Sequence, residues 1–103
     1  MVELRSICRV EDVHPGTSKL FPLEETTIGL FNDGGTFFAL ANECPHAGAS
    51  LAHGCVTDGA VSCRIHHWRF SLQTGQYLDE AKPEYDAVTY RVRVAGDDVQ
   101  VEV

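Results

Sequence analysis

Metal-binding side chains are concentrated in one short stretch of the chain, and this stretch constrains the fold more than any other feature. Residues 44–68, CPHAGASLAHGCVTDGAVSCRIHHW, hold three of the four cysteines and four of the five histidines. They include two mixed pairs, Cys44-x-His46 and Cys63-x-x-His66, which are separated by sixteen residues. Thiolate and imidazole ligands together suit zinc, iron or copper, so the stretch predicts a metal centre.

The rest of the chain has the pattern of short β-strands. Turn signals such as Asp58-Gly59 and Thr74-Gly75 separate short runs that are rich in β-branched and aromatic residues. This pattern predicts an all-β sandwich or barrel, and it contains no amphipathic helix longer than about two turns. The metal-binding stretch lies between a strand ending near Ala41 and a strand starting near Trp68. We therefore interpret it as an insertion carried by a β scaffold.

Two hairpins are predicted, each with one buried face. The turn Asn32-Asp33-Gly34-Gly35 joins residues 26–31 to residues 36–41, and a second turn at Gly96-Asp97 joins two runs of alternating valines. The predicted core residues share the inward-facing positions of these runs: Ile28, Leu30, Phe37, Phe38, Leu40, Val88, Tyr90, Val92, Val94, Val99 and Val101.

Charge and composition exclude several functional classes. A net charge of −7 disfavours nucleic acid and anionic membranes, and it suits either a basic protein partner or simple solubility. The N-terminal residues MVELRSICRVEDV carry charges where a signal peptide needs an apolar core. No window is long and apolar enough to span a bilayer. We therefore expect a cytoplasmic protein whose cysteines are not in disulfides.

The spacing of the ligands favours iron. Structural zinc sites usually use pairs of one ligand type, whereas each pair here contains one cysteine and one histidine. In a [2Fe–2S] cluster, one iron can take both cysteines and the other both histidines, which accounts for the mixed pairs. The motifs CPHAGASL and CRIHHWRFSLQTG resemble those of Rieske [2Fe–2S] proteins, soluble Rieske ferredoxins above all, and they are similar to those of nitrite reductase small subunits.

The resemblance extends over essentially the whole chain and implies both fold and ligands. It implies a single Rieske domain over residues 1–103, with two small antiparallel sheets as a base and an inserted loop-rich lobe at about residues 43–70. It also implies one [2Fe–2S] cluster, and the residues that match the family's ligands are Cys44, His46, Cys63 and His66.

The function that the resemblance implies is electron transfer, with no catalytic residues. We expect a soluble carrier, monomeric in isolation, that passes single electrons from a flavoprotein reductase to a terminal oxygenase. The alternative is a small subunit that assembles with the large subunit of a nitrite reductase-type enzyme. A zinc-stabilised interaction module is a further hypothesis from a different class.

Two departures from the high-potential Rieske proteins predict a low reduction potential. Ala49 and Ile65 stand where those proteins have two further cysteines that form a disulfide. Trp68 and Phe70 stand where they have a serine and a tyrosine that donate hydrogen bonds to the cluster. Because fewer hydrogen bonds to sulfur lower the potential, the ferredoxin type is favoured over the respiratory type.

The remaining soft side chains are not predicted to be ligands. His67 stands where most of the family has glycine, and we expect it to adopt the left-handed backbone conformation of that position. Lys82-Pro83 resembles the proline loop that covers a third side of the cluster in this family. The other histidines and cysteines are expected to be solvent-facing (His14 and His53) or small buried residues (Cys8 and Cys55).

Overall fold

The computed structural model describes residues 3–23, 26–42, 51–63, 67–79 and 83–102. Within these ranges the helical structure is limited to three 3₁₀ turns, Val10–Asp12, Leu51–His53 and Pro83–Tyr85. Ten strands account for the remaining regular structure there: β1 Leu4–Arg9, β2 Ser18–Leu23, β3 Thr26–Asp33, β4 Thr36–Ala41, β5 Cys55–Thr57, β6 Ala60–Ser62, β7 Arg69–Ser71, β8 Thr89–Tyr90, β9 Val92–Ala95 and β10 Asp98–Glu102. The all-β prediction is confirmed. No helix in the described part of the chain is long and apolar enough to cross a membrane.

The strands form three antiparallel sheets. Two of them make up the base, with the strand orders β1-β10-β9 and β2-β3-β4-β8. The third sheet, β5-β6-β7, belongs to the insertion that follows β4. The prediction of a two-sheet base with an inserted lobe is therefore confirmed, and the lobe contains a small sheet of its own.

The hairpin between β3 and β4 has the predicted turn. Asp33 pairs with Thr36 across it, and the two intervening residues, Gly34 and Gly35, have φ angles of 60° and 101°. A two-residue turn that follows the twist of its strands requires positive φ at both central positions, which glycine adopts without a steric penalty. The Asn-Asp-Gly-Gly sequence thus fixes the register of this hairpin.

The four-stranded sheet contributes buried side chains to a core on each of its two faces, chiefly from its central strands β3 and β4. Its first face packs on the three-stranded base sheet, and this base core consists of Val13, Leu23, Ile28, Leu30, Phe37, Ala39, Val99 and Val101. Its second face packs on the inserted lobe, and this lobe core consists of Phe31, Leu40, Leu51, Val61, Cys63, Phe70, Leu72, Tyr77 and Ala87. Because β3 and β4 contribute side chains to both cores, the base directly supports the lobe.

The last predicted strand is divided between the two base sheets. Strand β8 pairs with β4, whereas β9 pairs with β10, and Arg91 lies between them. The prediction that Val88 and Val94 are buried is wrong, since they are 59% and 45% exposed. Val88 precedes β8, and Val94 lies on an edge strand, where no further strand covers its outer side.

Most of the other core predictions are confirmed. Of the predicted residues, six are buried and three pack against the two cores while remaining partly exposed. The buried ones are Ile28, Leu30, Phe37, Leu40, Val99 and Val101. The partly exposed ones are Phe38, Tyr90 and Val92.

Candidate metal centre

The predicted ligand Cys63 lies at the end of β6, at the base of a short hairpin loop. Its backbone N–H donates to the carbonyl of Trp68 over 2.7 Å, which extends the β6–β7 ladder by one pair. Its carbonyl accepts the N–H of His67 over 2.8 Å. The predicted ligand His66 lies within this loop, outside the described residues. The two hydrogen bonds close the loop that carries the Cys63-x-x-His66 motif.

His67 has the backbone conformation that the sequence predicts for this position. Its φ angle is 59°, in the left-handed region that glycine usually occupies, and its side chain is exposed. Histidine tolerates this region better than most residues do. The residue therefore replaces glycine in the turn, and its N–H closes the loop on Cys63.

The side chain of Cys63 is buried in the lobe core. It is fully inaccessible to water and belongs to the same apolar cluster as Leu51 and Phe70. Cysteine thiolates hold iron–sulfur clusters, and solvent exposure is one of the factors that set the reduction potential of the cluster. A buried thiol at the base of the loop fits a cluster at this position.

The first predicted ligand loop is closed at its base by Asn42. The carbonyl of Asn42 accepts the N–H of Leu51 over 2.7 Å, and its side-chain Oδ1 accepts the N–H of Ala52 over 3.0 Å. The predicted ligands Cys44 and His46 lie between these anchors, outside the described residues. Asn42 thus fixes the two ends of the segment that carries the Cys44-x-His46 motif.

The bases of the two loops are packed together. Leu51, at the end of the first loop, and Cys63, at the start of the second, lie in the same apolar cluster. Gly54 follows the 3₁₀ turn at Leu51, and a Cβ atom on it would collide with the backbone carbonyl of Ser62. Glycine therefore permits the first loop to return within backbone contact of the strand that leads into Cys63.

Four aromatic side chains form a wall beside the second loop. Trp68 stacks on Tyr77, with ring centroids 4.5 Å apart and an interplanar angle of 21°. Tyr85 meets Trp68 edge to face at 5.4 Å, and Phe70 lies 5.6 Å from Tyr77. Stacked and edge-to-face pairs are favourable ring geometries, so these contacts hold the C-terminal stem of the predicted ligand loop against Tyr77 and Tyr85.

The segment that ends at Asp79 is attached to Arg69, in the C-terminal stem of the second loop, by hydrogen bonds and an ion pair. Asp79 binds the backbone N–H of Arg69 over 2.8 Å and its guanidinium over 2.9 Å. These interactions lower the pKa of the Asp79 carboxyl, the backbone hydrogen bond most and the guanidinium next. Lys82 of the predicted proline loop follows this anchor and lies outside the described residues.

The remaining cysteines and histidines are distributed over other parts of the fold. His14 is exposed, as predicted, and the side chain of His53 lies outside the description. The prediction that Cys55 is buried is wrong, because it begins an outer strand of the lobe sheet and is exposed. Cys8 is partly buried, and burial raises the pKa of its thiol. Neither thiol lies in the lobe core with Cys63.

Gly54, Tyr77 and Asp79 were not identified from the sequence, although each of them positions part of the site. An isolated glycine at the start of a strand signals close backbone approach, so Gly54 had a readable signal. Tyr77 and Asp79 act through Trp68 and Arg69, which lie nine and ten positions away in the sequence. No local periodicity marks such pairs.

Residues 3–95 match the Rieske [2Fe–2S] domain family. The chain belongs to this family, and it binds one [2Fe–2S] cluster.

Comparison with individual proteins agrees with this assignment. The chain is 37% identical over 98 residues to the 3-phenylpropionate/cinnamic acid dioxygenase ferredoxin subunit of Escherichia coli K12, covering 93% of this chain and 90% of that one. It is 35% identical over 81 residues to the ferredoxin component of the alkene monooxygenase system of Xanthobacter autotrophicus, covering 78% of this chain and 66% of that one. Both relatives are ferredoxin components of oxygenase systems.

A solved structure supports the fold independently. It is that of a protein from Mycobacterium tuberculosis with the provisional description of an NADH-dependent nitrite reductase small subunit. The two share 26% identity and a TM-score of 0.89, covering 100% of this chain and 96% of that one. The architecture is thus common to ferredoxins and to proteins described as reductase subunits.

Proposed function

We propose that this protein is a one-electron carrier that receives electrons from a flavoprotein reductase and delivers them to a terminal oxygenase. The observation that carries the proposal is its likeness, over 93% of its length, to the ferredoxin subunit of a dioxygenase. The metal centre supports it, because the described part of the site buries a cysteine at the base of a loop and contains no further cluster of metal-binding side chains. A single redox centre suits a carrier.

The proposed ligands are Cys44 and Cys63 for one iron and His46 and His66 for the other. This division suits the charge that electron transfer requires. Two ferric ions, two sulfides and two thiolates sum to zero, and neutral imidazoles add nothing, so reduction takes the site only to −1. With four thiolates the same step would end at −3, which is harder to reach. The histidine pair therefore makes the cluster a better electron acceptor.

The partners follow from the same proposal. A net charge of −7 suits encounter with basic docking surfaces on the reductase and the oxygenase, because opposite charges accelerate association. We propose a cytoplasmic protein that is monomeric in isolation and whose 103 residues form a single domain. Its role is electron supply, and the chemistry on the organic substrate belongs to the oxygenase.

Anaerobic reduction tests the proposal directly. A photoreduced flavin should transfer one electron per chain and change the visible spectrum of the red-brown protein. The protein should then replace the ferredoxin subunit in a reconstituted 3-phenylpropionate dioxygenase assay, whereas its Cys63→Ser variant should not. A colourless protein that contains zinc would overturn the proposal in favour of an interaction module.

The second candidate function is a small subunit of a nitrite reductase-type enzyme. The observation that favours it is the TM-score of 0.89 with a protein so described, over the full length of this chain. A subunit of this kind should bind a reductase large subunit stably, whereas a carrier should dissociate between electron transfers. Size-exclusion chromatography of the two chains together separates these outcomes.

A further inference from the structure

The carboxylate of Asp79 holds Arg69 by both its backbone and its side chain. Oδ2 accepts the backbone N–H of Arg69 over 2.8 Å, and Oδ1 accepts Nε over 2.9 Å. Nη2 also lies 2.9 Å from Oδ1. Two oxygens and three nitrogens thus meet in one contact. Such an arrangement fixes the relative orientation of Asp79 and Arg69 and also pairs their charges, because charge-assisted multidentate contacts are strong and geometrically specific.

This contact lies where two chain segments meet the ligand loop. Arg69 directly follows Trp68, whose carbonyl closes the loop on Cys63. Asp79 ends the segment that runs antiparallel to β7, in which Tyr77 pairs with Phe70. One contact therefore joins the C-terminal base of the predicted ligand loop to the end of this segment.

Asp79 also completes the hydrogen-bond ladder in an unusual way. Leu78 donates its N–H to the carbonyl of Arg69 over 2.9 Å. In a regular antiparallel pair, the carbonyl of Leu78 would accept the N–H of Arg69 in return. Oδ2 of Asp79 accepts that N–H instead. The chain can therefore turn away from β7 at this point while the backbone of Arg69 remains satisfied.

Other ion pairs among the described residues have longer contacts and lack this backbone component. Arg9 and Asp97 approach to 3.4 Å, with side chains that are 62% and 77% exposed. Exposed pairs of this kind contribute little to stability. The side chains of Arg69 and Asp79 are 55% and 33% exposed, so this pair is also partly open to solvent. Its contact nevertheless includes a hydrogen bond to the backbone N–H of Arg69, which salt screens less than it screens an exposed ion pair.

We propose that Asp79 and Arg69 are positioning residues for the iron–sulfur cluster. Together they attach the C-terminal end of the Cys63–Trp68 loop to the segment that ends at Asp79 and so control how long the cluster is retained and how much water reaches it. This inference rests on the proposed assignment of Cys63 and His66 as ligands. It adds to that assignment a second layer of residues that do not touch the metal.

Cluster retention tests the proposal with matched variants. The decay of visible absorbance in the presence of an iron chelator should be about tenfold faster in Asp79→Ala, because the contacts of the carboxylate with the backbone N–H, Nε and Nη2 of Arg69 are lost. Asp79→Asn keeps one acceptor oxygen and should show a smaller increase. Arg69→Lys keeps the charge but loses the multidentate geometry, so it should also lose the cluster faster. The control Asp97→Ala removes a paired carboxylate elsewhere and should behave as the wild type does.

Two further measurements distinguish positioning from general destabilisation. The reduction potential should rise in Asp79→Ala and Arg69→Lys, since added water favours the more negatively charged reduced state. Hydrogen exchange should accelerate at residues 67–79 but not in β1 and β10. Exchange that accelerates equally in the base sheets would overturn the proposal.

The variants also distinguish the positioning role from an effect of charge alone and from a wrong ligand assignment. If Asp79→Asn matched Asp79→Ala while Arg69→Lys matched the wild type, charge alone would act and the positioning role would be wrong. Retention in Asp79→Ala equal to that in Asp97→Ala would also refute it, leaving the ligands unaffected. Retention of the intact cluster in Cys63→Ser would instead contradict the ligand assignment on which the inference rests.

Discussion

Gly54 lies against the backbone carbonyl of Ser62, the residue that precedes the buried Cys63. A Cβ atom built on Gly54 would overlap the carbonyl oxygen of Ser62 and approach the carbonyl of Leu51 to 3.2 Å. Both neighbours are backbone atoms, which cannot rotate away as a side chain can. The absence of a Cβ atom at Gly54 therefore permits the close approach of the bases of the two predicted ligand loops.

Gly54→Ala should therefore destabilise the lobe and promote cluster loss. Overpacking against fixed backbone costs on the order of 3 kcal/mol, since strand β6 must shift to admit the methyl group. The measurement is the thermal midpoint of the visible absorbance of the cluster. The matched control is Gly96→Ala, whose Cβ would meet no atom within 4 Å but whose φ is 63°. It should cost only the strain of a left-handed residue, about 1–2 kcal/mol. Equal effects of the two substitutions would contradict the contact.

Single substitution of each proposed ligand should abolish the intact cluster. The ligand substitutions are Cys44→Ser, His46→Ala, Cys63→Ser and His66→Ala, and each removes one of two protein ligands from an iron. Cys8→Ser and Cys55→Ser are the controls, because these thiols lie outside the lobe core that contains Cys63. Iron analysis and electron paramagnetic resonance of the reduced proteins measure the result. A colourless Cys55→Ser protein of normal fold would show that the ligand set is wrong.

Local sequence patterns predicted the strands and turns that are determined by residues close together in the sequence. The β3–β4 hairpin follows from its turn residues, since two consecutive glycines supply the positive φ angles that the turn needs. The C-terminal alternation predicted β10 and its buried valines. It could not show that Arg91 separates two strands of different sheets, because a period of two is the same whichever partner a strand has.

The sequence predicted the chemistry of the site but not the contacts that hold its loops in place. The types and spacing of the four proposed ligands, together with the family resemblance that they carry, predicted the [2Fe–2S] cluster, since ligand choice depends on local sequence. The stack of Trp68 on Tyr77 and the contact of Asp79 with Arg69 depend on how the chain folds back on itself. The three-residue strands β5, β6 and β7 are too short for alternation to distinguish them from loop.

The contribution of Asp79 to cluster retention should depend on pH only in acid. Its pKa is lowered, first by the backbone N–H of Arg69 and then by the guanidinium, so folding favours the ionised carboxylate. The stabilisation is fully present above the unfolded pKa of about 3.9 and is lost as the pH falls through the lower folded value. The rate of cluster loss in Asp79→Asn divided by the rate in the wild type should stay constant from about pH 8 to about pH 5. At pH values below about 4 this ratio should decrease towards one. A ratio that already collapses near pH 6 would show that a different group titrates.

The reduction potential should lie near the low end of the Rieske range, at about −150 mV, with little pH dependence around neutrality. The histidine pair raises the potential above that of four-thiolate clusters, but Phe70 and Trp68 bring no hydroxyl to the cluster sulfurs. Such a carrier can accept electrons from a reduced flavin but could not oxidise a quinol. Protein-film voltammetry measures the value, and a wild-type potential well above zero would refute the ferredoxin assignment.

Phe70→Tyr tests why the potential is low. Phe70 is fully buried and shares the lobe core with Cys63, so a hydroxyl on its ring would lie inside the apolar region that surrounds this proposed ligand. If it donates a hydrogen bond to a cluster-bound sulfur, it stabilises the more negative reduced state and raises the potential. The control is Phe21→Tyr, which adds the same hydroxyl to a partly buried ring of the base and should leave the potential unchanged. An equal shift in both variants, or no shift in Phe70→Tyr when the cluster is intact, would show that a missing hydroxyl at this position does not set the potential.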